Sequence, residues 1–159
     1  MPTKRVPAED RTALSETEMN EVLFEALRAV YRFEREKVAE FGLDYGAIYL
    51  LQYLRRHPKA PISQVGEEMR LPISTISRMI DRLEDQGLVV RVQDSADGRR
   101  FLLSLKAKAK TLVASVERHS LEGLTGNLAR LEPNDVAIVV SAARLLPAVL
   151  EVIDEEPAR

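Results

Sequence analysis

The 159-residue chain contains no cysteine and no tryptophan, and it has only two histidines, His57 and His119. Without cysteine there is no disulfide framework, thiolate metal site, cysteine nucleophile or thiol redox sensor. Two histidines are too few for a His-rich metal cage. No Gly-rich phosphate loop and no nucleophile–base spacing occurs. The expectation is therefore no catalytic residue, no metal, no cofactor and no enzyme activity. Net charge is also nearly absent, at −2. Residues 1–15 are polar, hold two prolines and lack the apolar stretch of a secretion signal. The most apolar segment, Val136–Ile153, is interrupted by Arg144, Pro147 and Glu151 and is short of a span of ~20 residues. It is expected to be a buried or interface helix of a cytoplasmic protein with no membrane partner.

What is present is unevenly distributed. Residues 55–110 carry 12 Lys and Arg against 7 Asp and Glu, a net of +5, and the remainder carries −7. A basic middle between acidic ends points to a focused anion-binding surface, against the plainer reading of a solvated charged face. The chain has eight aromatic residues, and seven of them fall between Phe24 and Tyr53.

Apolar spacings of three and four predict helices over about 16–40, 44–56, 62–69, 72–86, 106–129 and 133–154. Gly42 and Gly87 act as stops, and Pro58 and Pro61 forbid continuation of the second helix. Between the fourth and fifth helices the period changes. Residues 88–92 and 100–105 read as two strands around a turn-rich segment ending in Asp97-Gly98, a hairpin signal. Residues 1–14 are expected to be a mobile arm. The fold class is mainly α with a small β-hairpin wing: a winged helix-turn-helix over 44–105, and a helical dimerisation region over 15–43 and 106–159. The apolar faces of the outer helices have no further domain to cover them, which predicts a homodimer. Val22, Val136, Val139, Val140, Ala143 and Leu146 are the candidate interface residues.

The two short helices joined at Met69-Arg70-Leu71 form a helix-turn-helix candidate. On the second of them, Ile76, Met79, Ile80 and Leu83 form an inner stripe. Ser74, Thr75, Ser77, Arg78 and Arg82 lie outside or at its flanks. Small hydroxyls permit close approach to base edges, and arginine can grip guanine bidentately. Arg99 and Arg100 at the hairpin tip add a cationic contact. For Arg100 the competing reading is an ion pair with Asp94 or Asp97 that stabilises the wing.

The segment LPISTISRMIDRLEDQGLV (71–89) and the segment DGRRFLLSL (97–105) together resemble the MarR family of winged-helix transcription regulators. The first is similar to the family's recognition helix, the second to its D-x-R wing and the strand after it. The resemblance covers roughly 16–154. It implies a homodimer on a pseudo-palindromic operator, with one 72–86 helix per major groove and Arg99 near the flanking minor groove. It also implies a small organic effector, an aromatic acid or a conjugate of one, in the cleft bordered by the first two helices. Tyr31, Tyr45 and Tyr49 would wall it, and Arg28 or Arg32 would hold the carboxylate. The alternative for the tyrosines is ordinary core packing with wet hydroxyls. The expected function is a ligand-responsive repressor that binds double-stranded DNA. The alternative is a winged-helix protein–protein assembly module without an effector.

Overall fold

The computed structural model describes residues 14–150 except Ala96 and Arg99. Most of the expected arm, the wing residue Arg99 and the predicted end of the last helix lie outside the described residues. Among the described residues, six helices and a small sheet follow in the order α1 (Glu16–Phe41), α2 (Tyr45–Arg56), β1 (Ala60–Pro61), α3 (Ile62–Met69), α4 (Ile73–Asp85), β2 (Val89–Gln93), β3 (Phe101–Leu105), α5 (Ala107–Leu128) and α6 (Pro133–Leu150). The chain divides into two compact units, one up to Val116 and the other from Glu117.

The helix ends have local chemical causes. Ser15 caps α1, accepting from the Glu18 N–H while the Glu18 carboxylate accepts from the Ser15 N–H, a full capping box. Those hydrogen bonds hold the Glu18 carboxyl below its ordinary pKa. Gly42, at φ 65°, closes the other end in the left-handed conformation glycine tolerates best. Asp44 caps α2 through the Ala47 N–H at 2.8 Å. His57 ends α2, exposed, with its ring stacked on Tyr53 at 4.4 Å. Pro72 stands at the N-cap of α4 rather than within its first turn, and it makes no side-chain cap bond.

The core of the first unit is apolar and continuous. Leu50, Leu51 and Leu54 of α2, Val65 of α3, Ile76 and Ile80 of α4, Val89, Leu103 and Val113 are almost fully buried. The inner stripe read from the α4 sequence, Ile76, Met79, Ile80 and Leu83, is the buried face of that helix. The hairpin pairs Val89 with Leu105 through Gln93 with Phe101. A third strand, β1, joins its other side, so the antiparallel sheet runs β1-β3-β2. The sequence pattern predicts only the two hairpin strands. A two-residue strand is too short to show alternation, and Pro61 is tolerated there because β1 is an edge.

α6, in the second unit, buries none of its residues. By length and hydropathy alone it could cross a membrane. Val139, Val140 and Leu146 are exposed, as is Ala143, and Val136 is half-buried. Val22 on α1 is 55% exposed.

Candidate nucleic-acid interface and effector cavity

α3 and α4 meet closely because Gly66 has no side chain. A Cβ built there would lie 2.8 Å from Ile73 Cδ1 and 3.3 Å from the Leu71 carbonyl oxygen. Arg70 makes the turn in the left-handed region at φ 50°, and the Leu71 N–H donates back to the Gly66 carbonyl at 3.1 Å. This turn presents α4 with one face in the core and the other free.

On the free face, Ser74 and Arg78 are exposed, Thr75 is half-buried and Arg82 is exposed. Thr75, Arg78 and Arg82 line a shallow groove of about 610 Å³ with Met79 and Asp81. Arg78 donates from Nε to the Ser74 carbonyl at 3.2 Å, folding back on its own helix. Arg82 lies 3.8 Å from Asp44 Oδ2, an exposed pair. Ser77 is half-buried, and its carbonyl accepts from Arg91 Nη2 at 3.3 Å. Arg100 is exposed at the hairpin loop, its backbone N–H donating to the Asp97 carbonyl at 2.9 Å. Gln93 steadies the loop by donating to the Gly98 carbonyl at 2.6 Å.

Arg91, which carried no role in the sequence reading, ties the hairpin to α4. Its guanidinium donates to Glu84 Oε2 at 2.7 Å and to Asp81 Oδ1 at 2.6 Å. Its backbone N–H donates to Glu84 Oε1 at 2.9 Å. The signal that could have found it is the acidic row Asp81 and Glu84 on α4, which needs a cation from a neighbouring element.

Between α1 and α2 lies a cavity of about 300 Å³, lined by Leu27, Val30, Val38, Tyr31, Tyr45, Glu34 and Arg35. Tyr31 and Tyr45 therefore come together in one cavity lining. Arg35 sits over the Tyr31 ring at 6.0 Å and donates to its hydroxyl at 3.4 Å. Burial, and secondarily the Glu34 carboxylate, pushes the Tyr45 phenol above its ordinary pKa. Tyr49 is not part of that lining. Its hydroxyl donates to Glu68 Oε1 of α3 at 2.7 Å, and this bond, with some burial, raises its pKa. Arg28 and Arg32 are also outside the lining. Arg28 pairs with Glu25 at 2.8 Å on the exposed side of α1, and Arg32 is exposed.

The sequence model of the MarR family matches residues 41–100, the segment holding α2, α3, α4 and the hairpin. Over 95 residues the chain is 33% identical to the uncharacterised HTH-type transcriptional regulator YxaD of Bacillus subtilis. That match covers 60% of this chain and 66% of YxaD. Over 70 residues it is 30% identical to the HTH-type transcriptional repressor MdtR of the same organism, covering 44% of this chain and 45% of MdtR. The chain thus spans less than two thirds of the length of these relatives. Among solved structures, a MarR family protein from Bacillus stearothermophilus superposes with a TM-score of 0.76 at 20% identity, over 87% of this chain and 99% of that one. Streptococcus pneumoniae FabT in complex with DNA gives 0.75 at 19% identity, over 86% and 97%.

Residues 41–100 carry a MarR-family domain. As a MarR-family fold it is a winged helix-turn-helix: α3 and α4 are the helix pair, and β2 and β3 form the wing. The resemblance read from residues 71–89 and 97–105 falls on α4 and on the wing strand β3 of that unit. Arg91 locks the wing strand β2 to α4.

Proposed function

We propose that this chain is a cytoplasmic, homodimeric regulator that binds double-stranded DNA and represses transcription until a small aromatic acid, or a conjugate of one, releases it. Residues 44–105 form the DNA-binding domain, and 15–43 with 106–159 form the dimerisation region. One observation carries the reading. The free face of α4 offers Ser74, Thr75, Arg78 and Arg82 beside a wing held to the same helix by hydrogen bonds. Such a face matches a major groove in size, and its arginines match guanine edges and phosphates. The family match, relatives named as transcriptional regulators and a structural neighbour solved with DNA favour the same reading.

The α1–α2 cavity is the effector site in this reading. An aromatic ring packs against Tyr31 and Tyr45, and Arg35, rather than Arg28 or Arg32, is the guanidinium at hand for a carboxylate. Release requires that the ligand prefer a dimer whose two α4 helices no longer match successive grooves.

The test of DNA binding is selection of duplexes from a randomised pool, followed by titration at several salt concentrations. The expected outcome is an enriched pseudo-palindrome whose affinity falls steeply with salt. A parent protein that enriches no duplex would leave the protein–protein assembly module as the better reading. The effector is tested by calorimetry with aromatic acids and their thioesters, on the parent and on Tyr45→Ala. Binding that survives unchanged in Tyr45→Ala would move the ligand out of the α1–α2 cavity. A true effector should be weakened by operator DNA by the same factor as it weakens the DNA.

A further inference from the structure

α4 has an electrostatic problem as a DNA-reading helix. Between Ile73 and Asp85 it carries two arginines against three carboxylates, Asp81, Glu84 and Asp85. Thr75, Arg78 and Arg82 form one row along the helix, and Ser77, Asp81 and Glu84, spaced by four and three, form a neighbouring row. The acidic row therefore flanks the row offered to DNA. A phosphate backbone brought to this surface meets Asp81, which is 57% exposed at its side chain.

We propose that Arg91 is the charge-masking residue of this surface: it pairs with both Asp81 and Glu84 and offsets one of their two negative charges, so that a polyanion can approach α4. The proposal rests on the DNA-binding reading above and adds the residue that makes the surface acceptable to phosphate. Arg91 reaches across from β2 and spends three guanidinium N–H donors on α4, at Glu84 Oε2, Asp81 Oδ1 and the Ser77 carbonyl. Its side chain is only 26% exposed, so it is a positioning residue within the protein and not itself a phosphate contact. Glu84 is equally sheltered at 28%, where an unpaired carboxylate is poorly screened by solvent. The fork of a guanidinium suits two separate carboxylates in a way a lysine ammonium does not.

A tether that merely holds the wing would use the same hydrogen bonds, so the experiment separates charge from tethering. Three variants are compared with the parent: Arg91→Gln, the double variant Asp81→Asn with Glu84→Gln, and all three changes together. The probe is the duplex that the parent enriches from a randomised pool, titrated by fluorescence anisotropy, with thermal melting of each protein. Arg91→Gln should bind about tenfold more weakly at low salt, and the gap should shrink as salt rises, because exposed carboxylate–phosphate repulsion is screened. The double variant should bind at least as tightly as the parent. The triple variant should recover to within about threefold of the parent, because neither position 81 nor position 84 then carries a charge. A double variant as weak as Arg91→Gln, or a triple variant that recovers nothing, would overturn masking in favour of tethering. If Arg91→Gln melts below the assay temperature, the double variant decides alone. A parent that binds DNA with Arg91→Gln unchanged sinks the masking proposal only. A parent that binds no duplex sinks the DNA reading and masking with it.

Discussion

Gly66 shows how a missing side chain places the α4 surface. At Gly66 any side chain must push Ile73 and the Leu71 carbonyl, which sit 2.8 and 3.3 Å from the added Cβ. Gly66→Ala should cost about 1–2 kcal/mol through overpacking, read as a lower denaturation midpoint. It should also weaken DNA binding, since the Leu71 carbonyl in the turn before α4 must give by a few tenths of an ångström. An alanine variant as stable as the parent would show that Ile73 repacks freely. Arg78→Ala should weaken operator binding by about 1–3 kcal/mol and relax base preference at one position, measured by titration against single-base operator variants. For the α1 capping box the sign follows from Glu18. Its folded pKa is lowered, so its stabilisation is present above the ordinary value of 4.5 and is lost as pH falls through the folded value. Amide exchange at the first turn of α1 should therefore quicken on acidification below that range, and Glu18→Gln should remove the pH dependence.

At the scale of elements, α2 is the hub. Its apolar face fills the core, its N-terminal turn borders the cavity at Tyr45, and Tyr49 reaches Glu68 of α3. Tyr49→Phe removes that cross-helix bond and should cost about 0.5–1 kcal/mol, discounted because the pair is exposed. The pH sign is opposite to that of Glu18. A phenol with a raised folded pKa contributes below its ordinary value of 10.0, and that contribution is lost as pH rises through the folded value. Chemical denaturation near neutral pH and above this range should show the parent losing more stability than Tyr49→Phe. Equal losses would assign the alkaline decline to other groups.

On the scale of the whole molecule, the exposed apolar faces set the expectation. Val22, Phe24 and Leu27 on α1, and Ile138, Leu145 and Val149 on α6, are more than half exposed or nearly so, far more apolar surface than a soluble monomer scatters singly. Light scattering at micromolar concentration should give about twice the mass of 17.9 kDa. Val139→Glu with Leu146→Glu should lower that mass towards one chain and abolish binding to a two-half-site operator, because each half-site then has to be held alone. A monomeric parent would remove the dimer from the proposed mechanism.

The helices and the wing were legible because their causes are local. Periodicity marks the core stripe of α4, Gly42 and Gly87 stop, and a polar turn separates two apolar strands. The surface chemistry of α4 was legible for the same reason, since Thr75, Arg78 and Arg82 recur at helical spacing. Three features needed the tertiary structure. β1 exists because β3 has a free edge, which two residues cannot announce. Arg35 rather than Arg28 lines the cavity, because the angle at which α1 meets α2 selects one row of α1 from several that look alike in sequence. Arg91 became the partner of Asp81 and Glu84 only when β2 was laid against α4, seven and more residues away along the chain. Local propensity and periodicity operate within a few residues, whereas an ion pair or a cavity wall is chosen by which surfaces the packed core brings face to face.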